Sequence, residues 1–238
     1  MKNIITITKK EFMSYFNSPI AYVVVSIFLC LTNWFFFQDF FLRNQASMRA
    51  YFTLLPWIFL LLSPAITMRS WAEEKRSGTL ETLLTLPISD FEVVMAKFLS
   101  SLLFLTVFLI FSLSVPYSIS NLGSLDRGQV LGGYIGALLL GGAFLALGLL
   151  ISSLAKNQIV SFLISAAAGF LLFILGSDMV LQQTAEPISS LFRFLSLGGH
   201  FSSVNRGVLD SRDLLFYFSF IVFFLYLNTK SLESRQWK

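Results

Sequence analysis

The chain has 238 residues, of which 55% are hydrophobic, 16% are aromatic and only 13% are charged. Soluble domains carry roughly 25% charged residues, so this composition excludes an ordinary water-soluble domain and predicts a polytopic membrane protein. One cysteine and one histidine exclude a disulfide framework and a multi-histidine metal centre, and we attribute the net charge of +4 to membrane topology rather than to nucleic-acid binding.

The first 18 residues are predicted to form a helix that lies in the membrane interface. Its apolar and charged residues alternate as expected for an amphipathic helix. The apolar residues are Ile4, Ile5, Phe12, Tyr15 and Phe16, and the charged ones are Lys9, Lys10 and Glu11. Pro19 then marks a turn into the first apolar stretch. We expect the helix to serve as a positively charged anchor, as a contact for a partner protein, or as both, since the two roles are compatible.

Six stretches are apolar and close enough to 20 residues to be predicted as membrane spans. In chain order they are residues 20–37, 51–68, 98–115, 130–154, 159–177 and 214–227. The third begins on a helix that starts earlier, and the sixth spans only if polar residues at its ends reach the interfaces. The predicted fold class is an all-α membrane protein, with residues 1–238 forming a single transmembrane domain.

The distribution of Lys and Arg predicts the orientation of these spans. Six spans place both termini on one side, and eleven of the 17 Lys and Arg residues lie on that side. Because positively charged loops stay in the cytoplasm, we expect both termini there and the protein in the cytoplasmic (inner) membrane. The opening sequence shows no signal-peptide cleavage pattern, so the first span is expected to be retained.

Residues 69–88 form a predicted cytoplasmic loop with a helix of its own. Residues 69–77 continue the second span as a charged helix, and Gly78 interrupts it. A second helix is then predicted to begin, with an acidic residue in its first turn, and to end at Pro87. Its residues Leu80, Leu83 and Leu84 share one face, which favours docking on a partner over a merely solvated connector. Ser89 and Glu92 have the spacing of a capping box for the next helix.

Small residues repeat every four positions in the fourth and fifth spans. The pairs and triplets are Gly132 and Gly136, Ala137 and Gly141, Gly142 and Ala146, and Ser161, Ser165 and Gly169. Such spacing lets helix backbones approach closely, so we expect these two spans to pack tightly against their neighbours.

Residues 178–213 form a predicted extracytoplasmic segment before the last span. Leu191, Phe194, Leu195 and Gly198 fall at helical spacing, which favours short helices in or on the outer leaflet. His200 follows them. A lone loop histidine with no second histidine nearby is more often a surface residue than a catalyst, and we expect that here.

Two kinds of chemistry are missing from the sequence. The middles of the six stretches contain no ionisable residue, so the relay expected of a proton-coupled carrier is absent. There is also no G-x-x-x-x-G-K-[ST] phosphate loop and no zinc-protease motif. The chain is therefore predicted to be non-catalytic, and any work done with ATP requires another chain to bind the nucleotide.

The string Ala-Glu-Glu-Lys-Arg-Ser-Gly-Thr-Leu-Glu-Thr-Leu-Leu-Thr-Leu-Pro-Ile-Ser, at residues 72–89, resembles the signature loop of ATP-binding-cassette (ABC) permeases of the second exporter type. In that family the loop follows the second span and precedes a lysine early in the third, here Lys97. The resemblance extends over essentially the whole chain. Residues 200–213 look most like the gliding-motility and copper-maturation subgroup.

The resemblance implies a half-transporter that pairs with a second six-span permease, as a homodimer or heterodimer, amid membrane lipids. A separate ABC ATPase subunit would bind ATP and Mg²⁺, while this chain holds no cofactor. The implied contacts with that subunit are Glu73, Glu74, Lys75, Arg76, Gly78, Thr79, Leu80, Glu81, Leu83 and Leu84. A secondary cytoplasmic contact is implied at Lys9, Lys10, Glu11, Lys156 and Asn157.

Two other functions stay open at this point. An ion-coupled secondary transporter is disfavoured by the missing membrane charges. A membrane anchor or scaffold of a gliding or secretion machine would use the same loop mechanically.

Overall fold

The computed structural model describes residues 2–43, 47–79, 88–205, 207 and 210–234, and every regular element in those ranges is a helix. The helices are α1 (Lys2–Phe16), α2 (Pro19–Arg43), α3 (Arg49–Thr67), α4 (Ala72–Ser77), α5 (Asp90–Ser112), α6 (Ser114–Ser120), α7 (Arg127–Leu154), α8 (Gln158–Ile174), α9 (Asp178–Leu181), α10 (Glu186–Leu195), α11 (Leu197–Asn205) and α12 (Ser211–Glu233). The prediction of an all-α fold is confirmed for these residues.

Short polar residues fix where several helices begin. The Ser89 hydroxyl accepts the Glu92 amide, and the Glu92 carboxylate accepts the Ser89 amide, so the predicted capping box at the start of α5 is confirmed. Asp126 caps α7 and Asp210 caps α12, each by accepting backbone amides of the first turn. These caps sit at the ends of apolar stretches, where unpaired amides would otherwise be left.

Five helical segments of the described chain are long and apolar enough to cross a membrane. They are Ala21–Leu42, Arg49–Ser77, Asp90–Ser120, Arg127–Leu154 and Ser211–Glu233. The predicted span 159–177 forms the shorter apolar helix α8, which has 17 residues. The protein is thus a multi-pass helical membrane protein.

Helix α7 lies at the centre of the bundle, and its small residues bring neighbouring helices close. A Cβ atom on Gly133 would overlap the Phe52 ring of α3, and one on Gly148 would overlap Thr67 at the end of the same helix. A Cβ on Gly136 would overlap Val204 of α11. Close packing of the predicted small-residue stretch is therefore confirmed for α7.

The helix bundle has two distinct ends, which we name after a residue at each. At the Lys97 end, Ser152 of α7 lies beside Met68, and Ser153 lies beside Ser231 of α12. At the His200 end, Ser112 of α5 bonds Tyr134 of α7, and Tyr217 of α12 bonds the Leu197 carbonyl of α11. Helix α1 and the last turns of α12 both lie at the Lys97 end.

Helix α8 runs between these same two ends. Its first residue, Gln158, lines a cavity that Lys97 also lines. Near its other end, Phe173 offers its carbonyl to the Ser196 hydroxyl at the His200 end. Ser161, Ser165 and Gly169 of α8 are buried, as expected from their spacing, while the opposite face of this helix is apolar and exposed.

Candidate functional site

The exit from α3 is the first component of the candidate site. The chain turns after Thr67 and enters α4 at Ala72, with Trp71 fully buried at the junction. The Trp71 amide donates to the Ser152 hydroxyl over 3.2 Å, and that hydroxyl donates to the Met68 carbonyl over 3.3 Å. Ser152 of α7 thus ties down both sides of the turn, so α4 leaves the membrane helix at a fixed angle.

Lys97 of α5 is the centre of the site. Its side chain is 2% exposed, and its ammonium group lies 2.7 Å from Glu74 Oε1 and 3.5 Å from Glu11 Oε1. It also donates to the Ser70 carbonyl over 3.0 Å and lies 4.8 Å from the centre of the Trp71 ring. A buried ammonium needs such partners, since an unpaired charge in this position would be costly. Lys97 therefore joins α1, α4 and α5 at one point.

Lys75 attaches α4 to the end of α7. Its ammonium group donates to the Ser153 carbonyl and, over 3.1 Å, to the Ala155 carbonyl. Ser153 is in the last turn of α7 and Ala155 is the residue that caps its end, where the last four carbonyls lack partners within the helix and a positive charge is favourable. The Ser153 hydroxyl continues this connection to Ser231 of α12 over 3.3 Å.

Helix α1 packs along the start of α5. The Thr8 hydroxyl donates to the Ala96 carbonyl over 3.4 Å, and the Tyr15 ring stacks on Phe104 with 4.9 Å between ring centres. Burial, reinforced by the carboxylate of Glu11, raises the pKa of the Tyr15 phenol, which therefore stays neutral. The predicted N-terminal helix is thus held against the membrane helices by contacts along its length.

The predicted docking residues separate into two groups in the structure. Glu73, Arg76, Gly78 and Thr79 are exposed, whereas Glu74 and Lys75 make the internal bonds described above. Gly78 has φ of +69°, the left-handed conformation that ends many helices, so the predicted interruption is confirmed. The remaining predicted residues, Leu80, Glu81, Leu83 and Leu84, and the stop at Pro87, lie outside the described residues.

The predicted secondary contact is also divided. Lys9, Lys10 and Lys156 are exposed, while Glu11 bonds Lys97. The Asn157 side chain caps α8 by accepting the Ile159 amide over 2.9 Å. Arg76 of α4 lines a small cavity together with Lys156 and Asn157, which brings one residue of the first predicted group together with two of the second.

An open cleft of about 700 Å³ lies beside Lys97. Its lining comes from α1, α4 and parts of α2, α3 and α5. The lining includes the apolar residues Ala21, Ile66 and Phe104 and the charged residues Arg69 and Glu73. The cleft therefore lies between the N-terminal helix and α4, beside the Lys97 cluster.

The sequence pattern predicts no contacts for three important residues of this site. Lys97 is recognised only as the lysine that follows the loop, and no motif distinguishes Trp71 or Ser152. The one available signal was a lysine seven residues into an otherwise apolar helix, which requires a carboxylate partner. His200, expected at the surface, has a side chain only 11% exposed and bonds Asp213 at 2.6 Å. That expectation was wrong, because α10, α11 and α12 enclose the ring.

Comparison with known protein families gives one match that spans nearly the whole chain. The family model described as "ABC-2 family transporter protein" matches residues 5–235. The chain belongs to the ABC-2 transporter family. No curated protein gives a significant match.

Membership of the ABC-2 family fits the geometry of the site. The ABC-2 chain is a membrane transport component, and its family partners with ABC ATPase subunits. In this ABC-2 chain the described part of the segment that follows the second predicted span is not a free loop, because Glu74 and Lys75 bond it to Lys97 of α5 and to the end of α7. Residues 72–79, the described part of the stretch that resembles the family's signature loop, thus belong to an attached segment.

Proposed function

We propose that this protein is the permease subunit of an ABC exporter, which moves its cargo across the inner membrane using ATP hydrolysed by a separate subunit. The observation that carries this proposal is that α4 is bonded to the rest of the bundle at two points, Glu74 and Lys75. Lys97 joins Glu74 to α1 and α5, and Lys75 joins α4 to the end of α7. A force applied to residues 72–79 would reach three helices, α1, α5 and α7.

The proposed topology has six spans with both termini in the cytoplasm. Helix α8 has 17 residues, a length of about 26 Å at 1.5 Å per residue, and runs between the two ends of the bundle. Counting α8 as a span gives six crossings, which agrees with α1 and the last turn of α12 lying at the same end. The excess of Lys and Arg at that end supports a cytoplasmic location.

The proposed docking element comprises the exposed side of α4 and the residues that follow it. Glu73, Arg76 and Thr79 are free of the Lys97 cluster and face solvent. Leu80, Leu83 and Leu84 would add the apolar anchor in a groove of the ATPase, which binds ATP and Mg²⁺. Closure of two ATPase subunits would then push on α4 in each of two permeases.

A second permease is part of this proposal. Much of α2 and α8 is apolar and exposed, with Trp34 at 64% and Leu163 at 59% exposure. In a membrane such faces contact either lipid or another apolar helix. The first, second and fifth spans, which are α2, α3 and α8 here, are proposed to line the transport path, as the family resemblance implies. The match of residues 200–213 to the gliding-motility and copper-maturation subgroup stays a prediction.

Co-purification followed by an ATPase assay tests the proposal. The tagged chain is expected to bring down an ATP-hydrolysing subunit, and replacing Leu80 and Leu83 with Asp is expected to abolish that association. The matched control replaces Leu122 and Met179 with Asp, since both are exposed at the other end of the bundle, at 65% and 73%. Association that survives Leu80→Asp with Leu83→Asp would refute the docking assignment.

Two outcomes would replace the proposal with another function. Transport by this chain alone in liposomes, driven only by an ion gradient, would establish a secondary carrier. An ATPase that binds through residues 80–84 but supports only assembly of a larger machine, with no flux through the permease, would establish a scaffold.

A further inference from the structure

The cleft beside Lys97 has basic side chains that the Lys97 bonds do not use. Its lining contains four basic and three acidic side chains. Two of the three carboxylates, those of Glu11 and Glu74, bond the Lys97 ammonium. The basic side chains that remain are Lys10, Arg69 and Arg76. None of these three forms an ion pair with another described residue.

The cleft continues into the small cavity described above. Arg76 and Gln158 line both spaces. The small cavity, of about 340 Å³, adds Lys156, and its described lining contains no acidic side chain. We call Lys10, Arg69, Arg76 and Lys156 the basic rim. Of the described carboxylates that line either space, only Glu73 is not bonded to Lys97, so the rim attracts an anion.

The other half of the cleft is apolar. We call its residues the apolar wall, and they are Ala21 and Val24 of α2, Ile66 of α3 and Phe104 of α5. Phe104 follows Lys97 by seven residues, which places it about 10 Å further along α5 at 1.5 Å per residue. The cleft therefore has a charged half and an apolar half that extends along the membrane helices.

The position of the cleft in the bundle matches the edge of a bilayer. Ala21 is in the first turn of α2, and Ile66 is in the last turn of α3, so the cleft lies where these two membrane helices end. Lipid headgroups and the first part of their acyl chains meet at this level. Basic pockets between membrane helices at this depth bind anionic lipid headgroups.

Other small molecules fit only part of the cleft. A free phosphate would bind the basic rim but leave the apolar wall without a partner. A zwitterionic lipid carries a cationic group that the basic rim would repel. An anionic phospholipid complements both halves, since its phosphate matches Arg and Lys side chains and its chains match the wall.

We propose that the cleft beside Lys97 binds one anionic phospholipid from the adjacent leaflet. Its phosphate lies among the side chains of the basic rim, and one acyl chain lies along the apolar wall. The lipid thereby contacts α1, α2, α3 and α4, next to the bonds of Lys97. This inference goes beyond the proposed exporter function, because it depends on neither the cargo nor the ATPase.

Native mass spectrometry of the purified full chain tests the lipid preference. The chain is titrated in detergent with phosphatidylglycerol or with phosphatidylcholine of the same acyl chains. The first phosphatidylglycerol is expected to bind about tenfold more tightly than the first phosphatidylcholine. Equal affinities would overturn the proposal, and this comparison requires no variant. Displacement of phosphatidylglycerol by an equal concentration of glycerol 3-phosphate would also overturn it, because the site would then take a soluble phosphate.

Charge substitutions test the basic rim. Arg69→Gln and Lys10→Gln are each expected to weaken binding of the first phosphatidylglycerol about fivefold and to leave phosphatidylcholine binding unchanged. Arg76 stays in place because it also belongs to the proposed docking element. The matched control is Lys9→Gln, which changes an exposed lysine of α1 outside the described lining and should bind as the native chain. The same loss in Lys9→Gln would show attraction by diffuse surface charge and would overturn the proposal.

Two adjacent valines of α2 test the apolar wall. Val24 lines the cleft, and Val24→Trp is expected to weaken phosphatidylglycerol binding about tenfold, the loss expected when two methylene groups are kept out of the cleft. The control Val23→Trp adds the same ring at a position that is 54% exposed and should bind as the native chain. An unchanged affinity in Val24→Trp, or an equal loss in Val23→Trp, would overturn the placement of the acyl chain.

Discussion

A single buried lysine holds the candidate site together. The Lys97 ammonium is 2% exposed and lies against two carboxylates, one carbonyl and an aromatic ring. These partners come from two separate segments of the chain, α1 and residues 70–74. A buried charge is stable only while its partners stay in place, so the packing of Lys97 and the position of α4 depend on each other.

Replacing Lys97 with Met is expected to destabilise the protein by about 3–5 kcal/mol, because the half-buried Glu74 would be left without its cation. The free energy of unfolding in mixed micelles measures this loss. The double variant Lys97→Met with Glu74→Gln should lose less than the sum of the two single variants, since it removes both charges. The control Lys10→Met changes an exposed lysine of α1 and should have an effect within about 0.5 kcal/mol. Equal effects of Lys97→Met and Lys10→Met would contradict this account.

Two adjacent glycines of α7 provide a second residue-scale prediction. A Cβ on Gly133 would overlap the Phe52 ring, whereas a Cβ on Gly132 would meet Gly207 at an ordinary 3.7 Å. Gly133→Ala is therefore expected to cost about 1–3 kcal/mol through overpacking. Gly132→Ala should be neutral or stabilising, since alanine is the better helix former. Denaturant titration of both variants distinguishes them, and similar losses in the two would argue against the packing described.

How far these residues could be predicted depends on the distance between partners in the sequence. The capping box of Ser89 and Glu92 joins residues three apart, so a local pattern was enough to predict it. Lys97 bonds Glu74 and Glu11, which are 23 and 86 positions away, and no local pattern encodes that meeting. For the same reason the pairing of His200 with Asp213 was missed, although both residues were visible in the outer segment.

At the scale of elements, α4 is a short helix that depends on its attachments. It has six residues, too few for a helix that is stable alone in water. Its order therefore comes from the bonds of Glu74 and Lys75 and from burial of Trp71 at its start. A helix of this kind is well suited to transmit a force, because its position is fixed by bonds to the bundle and does not depend on the length of the helix.

Lys75→Met is expected to release α4 from the end of α7. Exchange of the backbone amides of residues 72–79 should then rise about tenfold, because local opening no longer breaks the bonds to Ser153 and Ala155. The matched control is Arg76→Met, which changes the neighbouring basic residue, and that residue is exposed. Hydrogen–deuterium exchange measures both. If Arg76→Met loosened α4 as much as Lys75→Met, the anchoring role of Lys75 would be wrong.

The hydropathy of the sequence predicted most of the helices but not the points at which one helix ends and the next begins. The spans around α2, α3, α5, α7 and α12 follow from long apolar runs, which need no knowledge of the partner helix. The extracytoplasmic segment was predicted as short helices, but its division into α9, α10 and α11 depends on which face each helix turns toward the bundle. Sequence spacing gives the period of a helix and does not give its neighbours.

At the scale of the whole molecule, the two ends of the bundle define the topology. Helix α1 and the end of α12 share the Lys97 end, so a reporter fused after Lys238 is expected in the cytoplasm. A single cysteine placed at Asp178 should react with a membrane-impermeant reagent from outside intact cells, and one at Asn157 should react only after the membrane is opened. Cys30 is exposed on α2 and is replaced first in this experiment. An external C-terminus, or the reverse labelling pattern, would invert the assignment of the docking element.

The most direct measurement of the central claim is site-specific photo-crosslinking in native membranes. A photoreactive amino acid at Leu84 is expected to capture a protein that carries a phosphate-loop motif, because residues 80–84 are proposed to lie in its groove. The same amino acid at Met179, exposed at the other end of the bundle, should not capture it. Capture of that ATP-binding protein from Leu84 but not from Met179 is the result that this account predicts. The same product from both positions, or none from Leu80, Leu83 and Leu84, would contradict it.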